Sequence, residues 1–213
     1  MKSRYYAVML LLCIATIFSK STTANADDRY VKLCERYFTE FAEDYGKFGQ
    51  KDGFTYLYSD KKNTATIVAM PMEQKKVAVP GKINGKTVTK IELMDVFSRS
   101  SNYYFRDEFY GEHEDNPVPK VEYLSIPKTV KVINIYAGIG LTEGHCRELQ
   151  SYLIHLKKFN VASANKWYRS YKGMLYTKNG KKLLLVPRKY TAKTVKVKKG
   201  TTKIADSAFS FCT

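Results

Sequence analysis

Histidine and tryptophan are scarce in this chain, with three of the first and one of the second among 213 residues. His113 lies between Glu112 and Glu114, His145 abuts Cys146, and His155 sits in an apolar stretch. None belongs to the spaced histidine and carboxylate pattern of a catalytic metal site. Adjacent residues such as His145 and Cys146 point apart in a strand or turn, a poor arrangement for a thiol and its base. Phosphate-cradling glycine loops, nucleophile elbows and metal-type cysteine pairs are missing too. The expectation is no catalytic, cofactor or metal site, with an enzyme acting through His113 or His145 kept as the last alternative.

Long apolar runs are also few. One, Ala7 to Phe18, follows Lys2 and Arg4 and precedes Ala24-Asn25-Ala26. It is too short to span a bilayer comfortably, and with its basic start and small-residue end it reads as a cleavable signal peptide over residues 1–26. A retained anchor is the alternative. With no second such run, the mature chain is expected to be exported, secreted or held at a cell surface, and to lack a transmembrane span. Cysteine is sparse as well: beyond Cys13 in the leader, only Cys34, Cys146 and Cys212 remain. An odd count in an oxidising compartment leaves at least one thiol free or paired between chains. Cys146 and Cys212 can be read as a disulfide or as small buried turn residues.

Acid is what the last quarter lacks. From Asn165 to Thr213 there are thirteen lysines and arginines against one acid, Asp206, a local balance of 13 − 1 = +12 within a chain of net charge +16. In Val195-Lys196-Val197-Lys198 the valines can face a core while the lysines point out, with Lys181, Lys182, Arg188, Lys189 and Lys193 close in sequence. Such a face suits an anionic polysaccharide or wall polymer, or an acidic extracellular protein. Export argues against intracellular nucleic acid, and a merely solvated lysine-rich face is the plain alternative.

What the chain does contain is a returning string. Val77-x-Val79-Pro80, Leu124-x-Ile126-Pro127 and Val195-x-Val197 are each followed by two apolar anchors. These fall 4 and 7 residues on in Ile126/Val130/Ile133 and in Val197/Thr201/Ile204, and 9 and 12 on in Val79/Val88/Ile91, where five residues are inserted around Asn84-Gly85. A weaker unit sits at Phe159-Asn160-Val161, 35 residues after Ile126 and 36 before Val197. One copy is too small to bury a face, so the copies must stack.

The segments "VKVKKGTTKIADSAFSFC" (195–212), Cys146-x-x-Leu149, "NKWYRSYKGMLYTKNGKKLLLVP" (165–187) and "TATIVAM" with "INGKTVTKI" near the start resemble the leucine-rich repeats of the BspA-like family of bacterial surface proteins. The resemblance implies an α/β, β-rich leucine-rich repeat solenoid with irregular short repeats over residues 51–213. It further implies a hairpin-like insert at 165–187 and a noncatalytic role in adhesion.

Residues 27–50 form the expected N-terminal capping helix, since Tyr30, Leu33, Tyr37, Phe38, Phe41 and Tyr45 make one stripe. A second insert, 101–119, interrupts the stack with Tyr103, Tyr104, Phe105, Phe109 and Tyr110 among five acids. Those aromatics either bind a partner or pack over a neighbouring turn. The last copy ends soon after Ala208-Phe209 without a polar cap, so the edge reads as truncated or as covered by another molecule, including a second copy of the chain. The functional expectation is a surface or secreted protein binding other proteins or cell surfaces through its insert and its basic end. The alternative is an assembly subunit docking through that open edge.

Overall fold

The computed structural model describes residues 47–93, 119–134, 152–206, 208, 209 and 212, all within one compact unit. The leader, residues 27–46 of the expected capping helix, the aromatic insert up to residue 118, Cys34 and Cys146 lie outside the described residues. Thirteen strands run in chain order. The N-terminal part contributes β1 (Lys47–Lys51), β2 (Phe54–Ser59), β3 (Thr64–Ala69), β4 (Lys76–Ala78), β5 (Lys82–Ile83) and β6 (Lys86–Ile91). Then come β7 (Tyr123–Ile126), β8 (Val132–Ile133) and β9 (Lys158–Val161). The C-terminal part holds β10 (Tyr168–Tyr171), β11 (Met174–Thr177), β12 (Lys182–Leu185) and β13 (Lys203–Ile204).

Apart from Tyr152 no described residue is α-helical, so the α/β expectation becomes a strand-rich architecture for this part of the chain. Residues 47–50, assigned from sequence to the end of the capping helix, instead belong to β1. The cause is local. Asp52 and Gly53 both adopt left-handed backbone, at φ of 52° and 79°, the conformation of a two-residue hairpin turn whose twist matches antiparallel strands. That turn commits the preceding chain to pair with β2, from Lys51 opposite Phe54 back to Lys47 opposite Tyr58.

Two parallel alignments join the copies. In the first, β4, β7 and β9 pair in register, with Val77, Leu124 and Phe159 side by side. In the second, β6 and β8 pair so that Ile91 lies beside Ile133. β7 alternates half-buried and buried residues, and Leu124 and Ile126 turn inward. These side chains share one core with Ile67, Val88 and Val130. Burial of each such side chain contributes about 1.5–3 kcal/mol, and each depends on a neighbouring copy for its cover.

The weak unit at Val161 has polar anchors. Counting 4 and 7 residues on from Val161 gives Asn165 and Tyr168, where the copy before it has Val130 and Ile133. Asn165 is fully buried. Its amide donates to the carbonyl oxygens of Pro127 and Val130, both at 2.9 Å, and its oxygen accepts from the backbone N–H of Trp167 and of Tyr168, both at 2.8 Å. The Tyr168 hydroxyl accepts from the Ile133 N–H at 3.1 Å. This copy is therefore fixed to its neighbour by hydrogen bonds where the others use methyl groups.

The last copy departs from the expected stack. Residues 195–198 form no strand, Val197 is 42% exposed, and β13 pairs parallel with β12, Lys203 beside Lys182 and Ile204 beside Leu183. The outer edge of β9, where the next copy would have paired, is already taken. The Phe159 N–H donates to Gly173 O at 2.8 Å and the Val161 N–H to Ser170 Oγ at 3.2 Å. Both acceptors come from the β10–β11 hairpin. β12 then serves two cores: Leu184 and Leu185 enter the large one, while Leu183 packs with Met174, Tyr176, Val186, Ala205 and Ala208.

Asn165→Ala should destabilise the fold by about 2–4 kcal/mol in urea unfolding, because two carbonyls and two N–H groups lose buried partners. Asn165→Asp should be worse still, since a carboxylate would face two carbonyl oxygens.

Candidate functional site

The basic C-terminal residues divide into separate groups. Lys181 and Lys182 stand at the start of β12, and the in-register neighbour of Lys182 is Lys203. Lys198 joins this group: its aliphatic stem lies against Gly180, within 2.9 Å of where a Cβ would stand, and its backbone N–H donates to the Tyr176 hydroxyl at 3.1 Å. It is half-buried and structural as well as cationic, which corrects the expectation that it points freely outward. Lys193 and Lys196 are exposed on the irregular connection leading to β13. Arg188 and Lys189 follow the opposite end of β12, where Arg188 is half-buried and Lys189 is exposed. Tyr103, Tyr104, Phe105, Phe109 and Tyr110 lie outside the described residues.

A further set of cations stands on the solvent face of β4–β7–β9. Lys76, Tyr123 and Lys158 form one row across the three strands, one residue before the inward-facing Val77, Leu124 and Phe159. Lys76 Nζ sits 6.0 Å from the centre of the Tyr123 ring, within the range of cation–π attraction. The next outward row is Ala78, Ser125 and Asn160. Lysine counting by local density misses this row, because its members come from segments 47 and 35 residues apart. The repeat register carries the signal: 123 − 76 equals 124 − 77, and 158 − 123 equals 159 − 124.

Where the chain enters β7 and β9 lies an open cleft of about 520 Å³ lined by Glu122, His155, Lys157, Lys189, Tyr190 and Thr191. The Lys189 N–H donates to Leu156 O at 2.8 Å, which seats the 187–191 segment along the approach to β9. Glu122 is the acid of this cleft. It accepts from Lys157 at 2.8 Å and lies 3.7 Å from Lys75. The Lys157 hydrogen bond, aided by the charges of Lys157 and Lys75, holds the Glu122 carboxyl below its ordinary range, and Glu122 in turn raises Lys157.

Cys212 is a free thiol among the described residues, and Cys146, its partner in the disulfide reading, lies outside them. The Cys212 sulfur lies 3.8 Å from Val186 O, and desolvation pushes its pKa up, away from the thiolate that nucleophilic chemistry needs. Among the described residues no three histidine, cysteine or acidic side chains gather as a metal site would require. No helix among them is long and apolar enough to cross a membrane.

No protein-family model matches this chain, and no curated protein matches it. Two solved structures are similar to it. One is a leucine-rich repeat protein from Eubacterium ventriosum, at 17% identity and a TM-score of 0.36, covering 78% of this chain and 57% of that one. The other is the pneumococcal vaccine antigen PcpA, at 14% identity and a TM-score of 0.27, covering 77% of this chain and 62% of that one. The chain spans less than two thirds of either neighbour. At these values neither likeness fixes the fold or the function.

The Glu122–Lys157 pair has a definite pH signature. A carboxylate held low stabilises the folded state above its unfolded pKa, and that gain is lost as pH falls through the lower folded value. An ammonium held high stabilises below its unfolded pKa, and the gain is lost as pH rises through the higher folded value. The pair therefore contributes across a plateau from about pH 5 to 10. Glu122→Gln should lower the melting temperature by no more than about 3 °C on that plateau. Melting curves of both proteins should converge only once pH has fallen through the lowered folded value of Glu122, below the ordinary carboxylate range.

Proposed function

We propose that this chain is a noncatalytic, exported binding protein of leucine-rich repeat solenoid type, held in the secreted or surface-associated space. The observation that carries the reading is the in-register parallel stacking of β4–β7–β9 and of β6–β8. Stacked copies make a rigid frame whose outward residues fall in rows, a form suited to presenting a surface rather than to enclosing a reaction. The free Cys212, with its raised pKa, is no activated nucleophile. The contact surfaces in this reading are the aromatic insert and the lysines at the C-terminal end. Their partners are extracellular proteins or anionic surface polymers.

Saturable binding to extracellular matrix proteins or to bacterial surfaces at physiological salt is expected, and its absence from every such surface would remove the adhesive role. Lys193→Glu with Lys196→Glu should weaken that binding about threefold or more and flatten its salt dependence. Lys198 is left intact because its stem packs on Gly180. Deleting residues 101–119 probes the insert separately.

The exposed apolar residues Val197, Ile204 and Phe209, at 42%, 52% and 41% exposure, favour a second reading in which the β13 edge docks another chain. Sedimentation of the purified protein decides it: self-association lost on Ile204→Lys supports docking through this edge between copies, and a monomer at high concentration counts against that.

A further inference from the structure

We infer that the solvent face of β4–β7–β9 and its adjoining cleft bind an acidic polysaccharide, a sugar chain bearing sulfate or carboxylate groups. The inference deepens the general binding reading and rests on it for an anionic extracellular partner, but apart from Lys189 it uses neither the insert nor the C-terminal lysines. Its basis is the coincidence of cations without carboxylate partners, a half-buried tyrosine ring and neutral hydrogen-bonding groups on the paired strands and in the cleft at the start of β7 and β9.

The cations come first. No carboxylate pairs with Lys76, Lys158, Lys172 or Lys189 among the described residues, whereas Glu122 is already engaged by Lys157 and Lys75. The net charge offered to a ligand is therefore positive although an acid sits within the cleft. Neighbouring strands lie about 4.8 Å apart, so Lys76 and Lys158 start about 10 Å apart with the Tyr123 ring between them. Such a row runs across the strands and suits a linear chain carrying charge at intervals. The rigid sheet spares the ligand much of the entropy of ordering its site.

The rings and neutral groups choose among polyanions. Tyr123 on the row is half-buried and leaves part of its ring open for a sugar ring to stack, whereas Tyr190 lines the cleft but packs in part against the smaller core. Ser125, Asn160 and Thr191 supply hydroxyl and amide groups suited to sugar hydroxyls. The cleft, at about 520 Å³, falls within the size of small-ligand clefts, which run from about 300 to 1,000 Å³. An acidic peptide or polyphosphate would satisfy the lysines and leave these groups unused.

One backbone feature points to the same place. The β10–β11 hairpin turns through Lys172 and Gly173, both left-handed at φ of 50° and 85°. Asn or Gly fits the first of these positions better than lysine, which is strained there. A Cβ on Gly173 would lie 3.0 Å from Lys158 Cγ, so the turn rests directly against the row. The Lys172 ammonium itself lies 5.8 Å from the centre of the Tyr171 ring, so this strained position carries a cation on the turn that rests against the row.

The test is a titration of the full chain with labelled dextran sulfate and polygalacturonate at physiological salt. Uncharged dextran, polyphosphate and polyglutamate serve as comparators. Saturable binding to at least one acidic sugar polymer is expected, and which one binds tells sulfate from carboxylate. Lys76→Glu with Lys158→Glu and Lys189→Glu should weaken it about tenfold or more, and Lys193→Glu with Lys196→Glu less than about threefold. Tyr123→Ala, which leaves every charge in place, should weaken sugar-polymer binding about threefold while sparing polyphosphate. Lys172→Asn should raise the melting temperature by about 2–4 °C and yet weaken binding. No saturable binding to either acidic sugar polymer overturns the inference. So does polyphosphate or polyglutamate binding as tightly as the sugar polymers, or equal losses from the two charge-reversed sets. Matrix-protein binding that survives the first set while sugar binding is lost separates this site from the surfaces of the general reading.

Discussion

Parallel pairing between equivalent strands is the constraint on which the rest of the described structure depends. No copy can bury Val77, Leu124 or Phe159 alone, because each strand offers only one or two inward side chains. Once the strands pair in register, the inward residues become a continuous core and every outward residue acquires a fixed neighbour on the next copy. The same register that places Leu124 beside Phe159 places Tyr123 beside Lys158. A one-residue slip would bury the lysine and expose the phenylalanine, so core packing enforces the surface row.

The stack ends where its edge hydrogen bonds are consumed. A free parallel edge is a template for the next strand, and β9 would offer one if Gly173 O and Ser170 Oγ did not accept from its N–H groups. With that edge closed, the similar string at 195–204 finds a partner only in β12, and only over Lys203–Ile204. Asn165 belongs to the same transition. Its four hydrogen bonds tie the start of the hairpin segment to Pro127 and Val130 of the preceding copy, an attachment that depends on direction as well as on burial.

How far the sequence revealed this follows from which force does the holding. Ile126/Val130/Ile133 and Val79/Val88/Ile91 were legible because their anchors are apolar, and apolar spacing survives an insertion. Asn165 and Tyr168 escaped that reading: a polar residue satisfied by hydrogen bonds looks in sequence like a loop residue. Val195 to Ile204 misled in the opposite way, since its spacing is right and only the occupied edge of β9 prevents it from stacking. The basic end was visible as local composition, but its division into groups at the two ends of β12 follows from the path of the chain. The strained backbone at Lys172 has no side-chain signature at all, as lysine is an ordinary surface residue until its φ is known.

The two cationic surfaces therefore differ in kind, and the difference bears on what each can recognise. Lys193 and Lys196 stand on an irregular exposed connection, where a ligand must order the lysine side chains and the backbone that carries them. Attraction there is sensitive to salt and tolerant of the partner's shape. Lys76 and Lys158 rise from strands whose inward neighbours are buried in the core, so only side-chain freedom is lost on binding. A row fixed at strand spacing favours ligands whose charges recur along a line, and the tyrosine within it favours those with rings between the charges. The charge count of the last quarter describes how strongly the molecule attracts anions; the register of the stacked strands governs which anions fit.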